Sequence, residues 1–98
     1  MLNQVVLVGR VASIEADHSN AEYHRVNVSL AITKSYKNSD GVYETAFVPV
    51  VLYNQVAVNT LEYVKKGDVI GIKGTIDSKY NQVSINVERV TFLTSKKD

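Results

Sequence analysis

Residues 22–33 read EYHRVNVSLAIT, and from Arg25 onward the apolar side chains fall on alternate positions. Val26, Val28, Leu30 and Ile32 share one face; Arg25, Asn27, Ser29 and Thr33 share the other. A period of two marks a β-strand with one face in a core and the other in water. Such a strand must be paired, and the rest of the chain offers partners. Residues 4–14, QVVLVGRVASI, read as a first strand, with Gly9 marking a bulge or a close backbone approach. Residues 15–21 are polar and turn-like. After the second strand, KNSDG at 37–41 is a turn signal, Asp40-Gly41 suiting the left-handed backbone of a tight hairpin. Residues 42–53 return as a third strand.

That third strand contains AFVPVVLY, the most apolar run in the chain and the site of its one proline, Pro49. Val48, Val50 and Leu52 point to one side. Phe47, Pro49, Val51 and Tyr53 point to the other, so both faces are apolar. The missing N–H of Pro49 predicts a bulge, a break in the ladder or an edge position. The period then changes. NQVAVNTLEYVKKG (54–67) spaces Val56 or Ala57, Thr60 or Leu61, and Val64 near the helical repeat. Asn54 suits an N-cap, Lys65 and Lys66 suit the negative C-terminal end, and Gly67 suits a left-handed stop. A fourth strand follows at 68–78, with Ile70, Ile72 and Ile76 on one face and Gly71 and Gly74 at points of close approach or coiling. Residues 79–82, KYNQ, turn the chain into a fifth strand at 83–93. Val83, Ile85 and Val87 alternate on odd positions, then Val90 and Phe92 on even ones, so a bulge is expected near Glu88-Arg89. The tail at 94–98, TSKKD, is expected to fray. Five strands with one short helix between the third and fourth is the plan of an all-β, five-stranded oligonucleotide-binding (OB) barrel. SH3-like barrels and other small β-rolls are the competing plans, and the helix position favours the first.

Ninety-eight residues make a single domain, 1–98, and a hydrophobic fraction of 45% is enough for a small core. There is no cysteine, which removes disulfides and thiolate metal sites and suits a reducing compartment. MLNQVVLVGR lacks the basic and long apolar regions of a signal peptide, and the apolar runs are too short to span a bilayer; a soluble cytoplasmic protein is expected. Catalysis is not. His18 and His24 have Asp17 and Glu22 nearby, but a polar turn explains them better than a metal site. Ser29, Ser35 and Ser78 lack the context of an activated nucleophile. Gly67, Gly71 and Gly74 precede no helix that could cradle phosphate. No cofactor and no metal are expected.

The aromatics carry more information. Six Tyr and two Phe are present, and the net charge is only +1. Tyr53 shares the face of Phe47. Tyr36 lies in KSYK between Lys34 and Lys37, and Tyr80 sits at a hairpin tip beside Lys79. Each alone reads as a half-buried tyrosine with its hydroxyl in water. Four together on one side of a barrel, interleaved with lysines, match what a single-strand binder needs: rings to stack on bases and cations to follow phosphates. Tyr23, Tyr43 and Tyr63 show no such clustering, and Phe92 is read as core.

The segments MLNQVVLVGRV, VNVSLAITKSYKNSDGVYETAFVPVVLYNQ, VKKGDVIGIKG and VERVTFL, in this order and spacing, resemble bacterial and phage single-stranded DNA-binding proteins over nearly the whole chain. The resemblance implies base-stacking roles for Tyr36, Phe47, Tyr53 and Tyr80, and backbone contacts by Arg10, Lys66 and Lys79. Lys34, Lys37 and Lys73 are added from their charge and expected facing. It further implies single-stranded DNA as partner, a homo-oligomer (commonly a tetramer built on dimers, otherwise a dimer), possible contacts with replication proteins, and a role in DNA replication, recombination or repair.

The chain departs from that pattern in four places. Val48 and Pro49 stand where relatives often have polar or basic residues. The stretch from Gly74 to Tyr80 is about one residue shorter than usual, and KYNQVSIN is a shorter last hairpin, which implies a smaller site. The sequence ends at TSKKD without the linker and acidic tip of relatives, as in a truncated form or a compact phage, plasmid or mobile-element member. A second reading makes the Phe47 and Tyr53 face a protein contact of a primosome or replisome subunit with weak nucleic-acid binding.

Overall fold

A computed structural model describes residues 2–17, 25–79 and 81–94. The chain forms β1 (Val5–Asp17), β2 (Arg25–Lys37), β3 (Tyr43–Tyr53), helix α1 (Asn54–Tyr63), β4 (Val69–Lys79) and β5 (Gln82–Thr94). The strands close into a barrel in the order β1-β2-β3-β5-β4. This is the expected OB plan. Thr94, assigned to the frayed tail from sequence, is the last residue of β5.

Closure depends on β1, which pairs with two strands in succession. Val5 to Arg10 run antiparallel to β4, and Arg10 to Asp17 run antiparallel to β2. One extra residue, Ala12, lies between Val11 and Ser13 and re-aims the strand. Gly9 makes the crossing possible in another way. A Cβ there would lie 2.9 Å from Ile32 Cγ1 and 3.0 Å from the Ala31 carbonyl oxygen, so Gly9 is a close-approach glycine and the β1–β4 register runs through it unbroken. On the far side the barrel shuts through one parallel pair, Val51 with Asn86.

The even residues of β2 and β3 fill the core as their alternation demands. Val26, Val28, Leu30, Val50 and Leu52 are buried there with Val11, Ile70, Ile72 and Val87. Helix α1 covers one mouth of the barrel with Ala57 and Thr60. Its ends differ from the sequence reading. Asn54 is the first helical residue, not the N-cap; Tyr53 holds the cap position with extended backbone. Asn54 has φ 55°, a left-handed turn out of β3 that is incompatible with the β-region geometry of an N-cap. The helix stops at Tyr63 because Val64 swings into extended conformation and buries its side chain. Gly67, at φ 98°, therefore serves the following turn rather than the helix. In that turn Asp68 Oδ2 accepts the Lys65 N–H at 2.9 Å. Val11 donates to the Asp68 carbonyl at 2.8 Å and accepts from the Gly67 N–H at 2.9 Å.

Two hairpins reach beyond the barrel. The β1–β2 ladder extends along β2 only to Ala31, so Ile32 to Ala46 form an arm. Its tip is held by Asn38, whose Oδ1 accepts the N–H groups of Asp40 and Val42, with Gly41 at φ 77°. Likewise β1 accompanies β4 only to Gly74. Ile76, expected beside Ile70 and Ile72 in the core, lies on the second arm and is 49% exposed. Asn3 joins this arm to the N-terminus by bonding the N–H and carbonyl of Ile76, both at 2.8 Å.

The bulge read from the parity switch in β5 is present. Lys73 pairs with Arg89 and Gly74 with Val87, leaving Glu88 as the extra residue. A second break leaves Leu93 between the partners of Val69 and Ile70. Phe92 was expected in the core. It pairs with buried Ile70 but stands at the helix-covered mouth, where half its surface stays open and Tyr63 packs 6.1 Å away, ring centre to ring centre. Of the two close-approach glycines expected in β4, Gly71 has ordinary room, whereas a Cβ on Gly74 would collide with the Asn86 carbonyl. Gly74→Ala should therefore destabilise the fold by about 1–3 kcal/mol in chemical denaturation, because only the backbone of β5 can yield. An unchanged midpoint would mean that the tight β4–β5 crossing is not kept in solution.

Candidate nucleic-acid interface

The odd residues of β3 face away from the core: Tyr43, Thr45, Phe47, Pro49, Val51 and Tyr53. Each stands in a row across neighbouring strands. Phe47 pairs with Ala31, which pairs with Arg10; Pro49 with Ser29 and Ser13; Val51 with Asn27 and Glu15; Tyr53 with Arg25 and Asp17. The outer surface of β1, β2 and β3 is thus one continuous sheet face. At about 3.3 Å per residue, Phe47 and Tyr53 lie roughly 20 Å apart along it. Phe47 is 64% exposed and Tyr53 is 37% exposed. Pro49 lies exposed between them. The register passes through Pro49 without a bulge, and over Tyr43 to Val50 β3 has no partner on its far side among the described residues. Of the options raised by the proline, the edge position is the one realised, the setting in which a strand tolerates a missing N–H.

The arm of β2 and β3 continues this face. Between Thr33 and Lys37 the register slips, so Lys37, and not Ser35, stands opposite Tyr43. The Lys37 ammonium sits 5.5 Å from the centre of the Tyr43 ring. Tyr43, passed over in the sequence, therefore belongs to the aromatic face. Its odd spacing from Phe47 and Tyr53 was the available signal. Tyr36 lies in the slipped segment and is 64% exposed. At the other end Arg25 places its guanidinium carbon 6.0 Å from the centre of the Tyr53 ring. The face is thus an aromatic ladder with a cation over a tyrosine at each end.

The remaining cations are distributed differently. Arg10 shares the row of Phe47, and its Nη1 donates to the Gly67 carbonyl at 2.6 Å. That bond draws the turn carrying Lys66 to the edge of the same face. Lys34 lies on the opposite parity of the arm, in an ion pair with Glu44 at 3.4 Å. Lys73 lies on the other side of the barrel, paired with Val6 and Arg89 on the outer surface of β1, β4 and β5. Exposed Val6, Val8 and Leu93 give that second surface an apolar centre. The backbone of Lys79 ends β4; Tyr80 falls outside the described residues, as do Tyr23, His18 and His24. Among the described residues no cluster of three His, Cys, Asp or Glu could hold a metal ion. Nor is any described helix long and apolar enough to cross a membrane.

A profile of the "Single-strand binding protein family" matches residues 2–94. The chain belongs to this family. Family members are binding proteins. The chain is 34% identical over 90 residues to a Bacillus subtilis protein named single-stranded DNA-binding protein B, covering 89% of this chain and 80% of the relative. It is 30% identical over 112 residues to single-stranded DNA-binding protein 1 of Clostridium acetobutylicum, covering 99% and 98% of the two chains. Among solved structures, a deletion mutant of the single-stranded DNA binding protein from Thermus aquaticus superposes with a TM-score of 0.74 at 18% identity. That match covers 97% of this chain and 52% of the other, and it establishes the shared OB fold.

Exposure separates the aromatic face from the core in a measurable way. Phe47→Ala and Tyr36→Ala should shift thermal stability by less than about 0.5 kcal/mol, as surface changes do. Leu52→Ala, one position away from the face but buried, should cost about 2–5 kcal/mol in the same measurement.

Proposed function

We propose that this protein binds single-stranded DNA with little sequence preference, through the outer face of β1, β2 and β3. The observation that carries this reading is the exposure of Tyr36, Phe47 and Tyr53 on a barrel whose core is already filled by the opposite face. Monomeric proteins rarely leave contiguous large apolar side chains open to water without a partner. Rings set along one sheet face offer stacking platforms, and every base has a π-face, so binding by stacking tolerates any sequence. Lys37, Arg10 and Lys66 border the face and can neutralise phosphates. The family match and the names of the relatives support nucleic acid over the protein-contact reading. Pro49 adds an apolar surface between Phe47 and Tyr53. The role that follows is protection of exposed strands during replication, recombination or repair.

The same reading includes self-association. Val6, Val8 and Leu93 form the centre of the second exposed surface, on β1, β4 and β5, where a second copy would cover them.

Fluorescence anisotropy of a labelled oligothymidine at low salt tests the binding. Saturable binding that weakens with salt is expected. Phe47→Ala and Tyr36→Ala should each cost about 1 kcal/mol, the low part of the stacking range, because Phe and Tyr rings are smaller than indole. No anisotropy change at micromolar protein would sink the reading. Self-association is checked by mass in solution: the wild type should exceed one chain, and Val8→Glu should lower that mass towards a monomer. A monomeric wild type would remove this part of the proposal.

A further inference from the structure

One end of the aromatic face is built around a residue that the sequence did not mark. Arg25 faces Tyr53 across the β2–β3 ladder, and its guanidinium carbon lies 6.0 Å from the ring centre. Its Nε is buried and has no hydrogen-bond partner among the described residues. A guanidinium with one donor unmet is short of acceptors, and a ligand oxygen approaching its outer nitrogens adds a charge-assisted hydrogen bond. The ring of Tyr53 holds the guanidinium in place, which reduces the ordering cost of binding. Guanidinium is weakly hydrated, and its planar fork of donors matches the oxygens of a phosphate. The phosphate of a nucleotide is one sugar away from its base, the same scale as the separation of guanidinium and ring.

We propose that Arg25 is a phosphate-binding residue of this interface, gripping the phosphodiester next to the base that stacks on Tyr53. The proposal rests on the single-strand reading above. Its rival is a purely structural role, in which Arg25 only orients the Tyr53 ring. The two differ in charge accounting. Each phosphate neutralised on a single strand contributes about 0.7 to the slope of log affinity against log salt concentration. A residue that only positions a ring contributes nothing to that slope.

The test is the salt dependence of oligothymidine binding for the wild type, Arg25→Gln, Arg25→Lys and Phe47→Ala. Arg25→Gln should bind roughly tenfold more weakly at low salt, the loss expected for a charge-assisted hydrogen bond. Its slope should be shallower by about 0.7. Arg25→Lys should keep the wild-type slope, and Phe47→Ala should weaken binding without changing it. Should Arg25→Gln fail to fold in a thermal melt, Arg25→Met replaces it with the same expectation. An unchanged slope in the neutral variant, or a slope lost equally in Arg25→Lys, overturns the phosphate role. If Phe47→Ala weakens binding while the neutral Arg25 variant binds as tightly as the wild type, this proposal falls and the single-strand reading stands. A wild type that does not bind oligothymidine defeats both.

Discussion

Everything in this fold hangs on Val11. Its side chain is buried, its N–H bonds to the Asp68 carbonyl, and its own carbonyl accepts the Gly67 N–H. At this point β1 leaves β4 and joins β2, and the extra residue Ala12 follows at once. One strand thereby serves two others, and five strands become a barrel without a sixth. The buried Asp68 carboxylate stiffens the receiving turn by holding the Lys65 N–H. Arg10, next along the strand, fastens to the same turn from outside. The swivel that closes the core also sets one cation of the outer face in place.

Closure leaves a strict division of labour between parities. On the barrel-forming parts of β2 and β3 the even residues exclude water and supply the stabilising burial, so the exposed odd residues of β3, Val51 apart, are free of structural duty. Threonine, serine or lysine would serve there as well. The chain instead places Tyr43, Phe47, Pro49 and Tyr53 along one line, with cations over the two terminal tyrosines. Burial energy does not call for that choice, whereas a flat, stackable ligand does.

The sequence carried those features that depend on a single strand. Alternation located the core faces of β2 and β3, and the change of period located α1. The parity switch at Glu88 located a bulge because a slip of one residue reverses which side chains are apolar. Features that depend on two strands at once were hidden. Ile76 alternates as faithfully as Ile72, yet nothing local says that β1 stops accompanying β4 at Gly74. Lys34 and Lys37 look equivalent in KSYK; only the register slip in the arm sends one to Glu44 and the other to Tyr43. The pairing of Arg25 with Tyr53 spans the whole hairpin and depends on how many residues that slip absorbs. Both ends of helix α1 escape the sequence pattern, because Asn54 turns left-handed at once and Val64 is drawn into the core.

The two projecting hairpins have a further consequence. Beyond Ala31 on one side and Thr75 on the other, the described strands make no pair that closes the barrel. Lengthening or trimming either arm by a pair of residues would preserve inward and outward facing, and the core would not register the change. The reach of the arms and the durability of the fold are therefore separable quantities in this architecture. A small barrel of fixed size can be fitted with long or short reach; here the second arm is paired as far as Lys79 and Gln82.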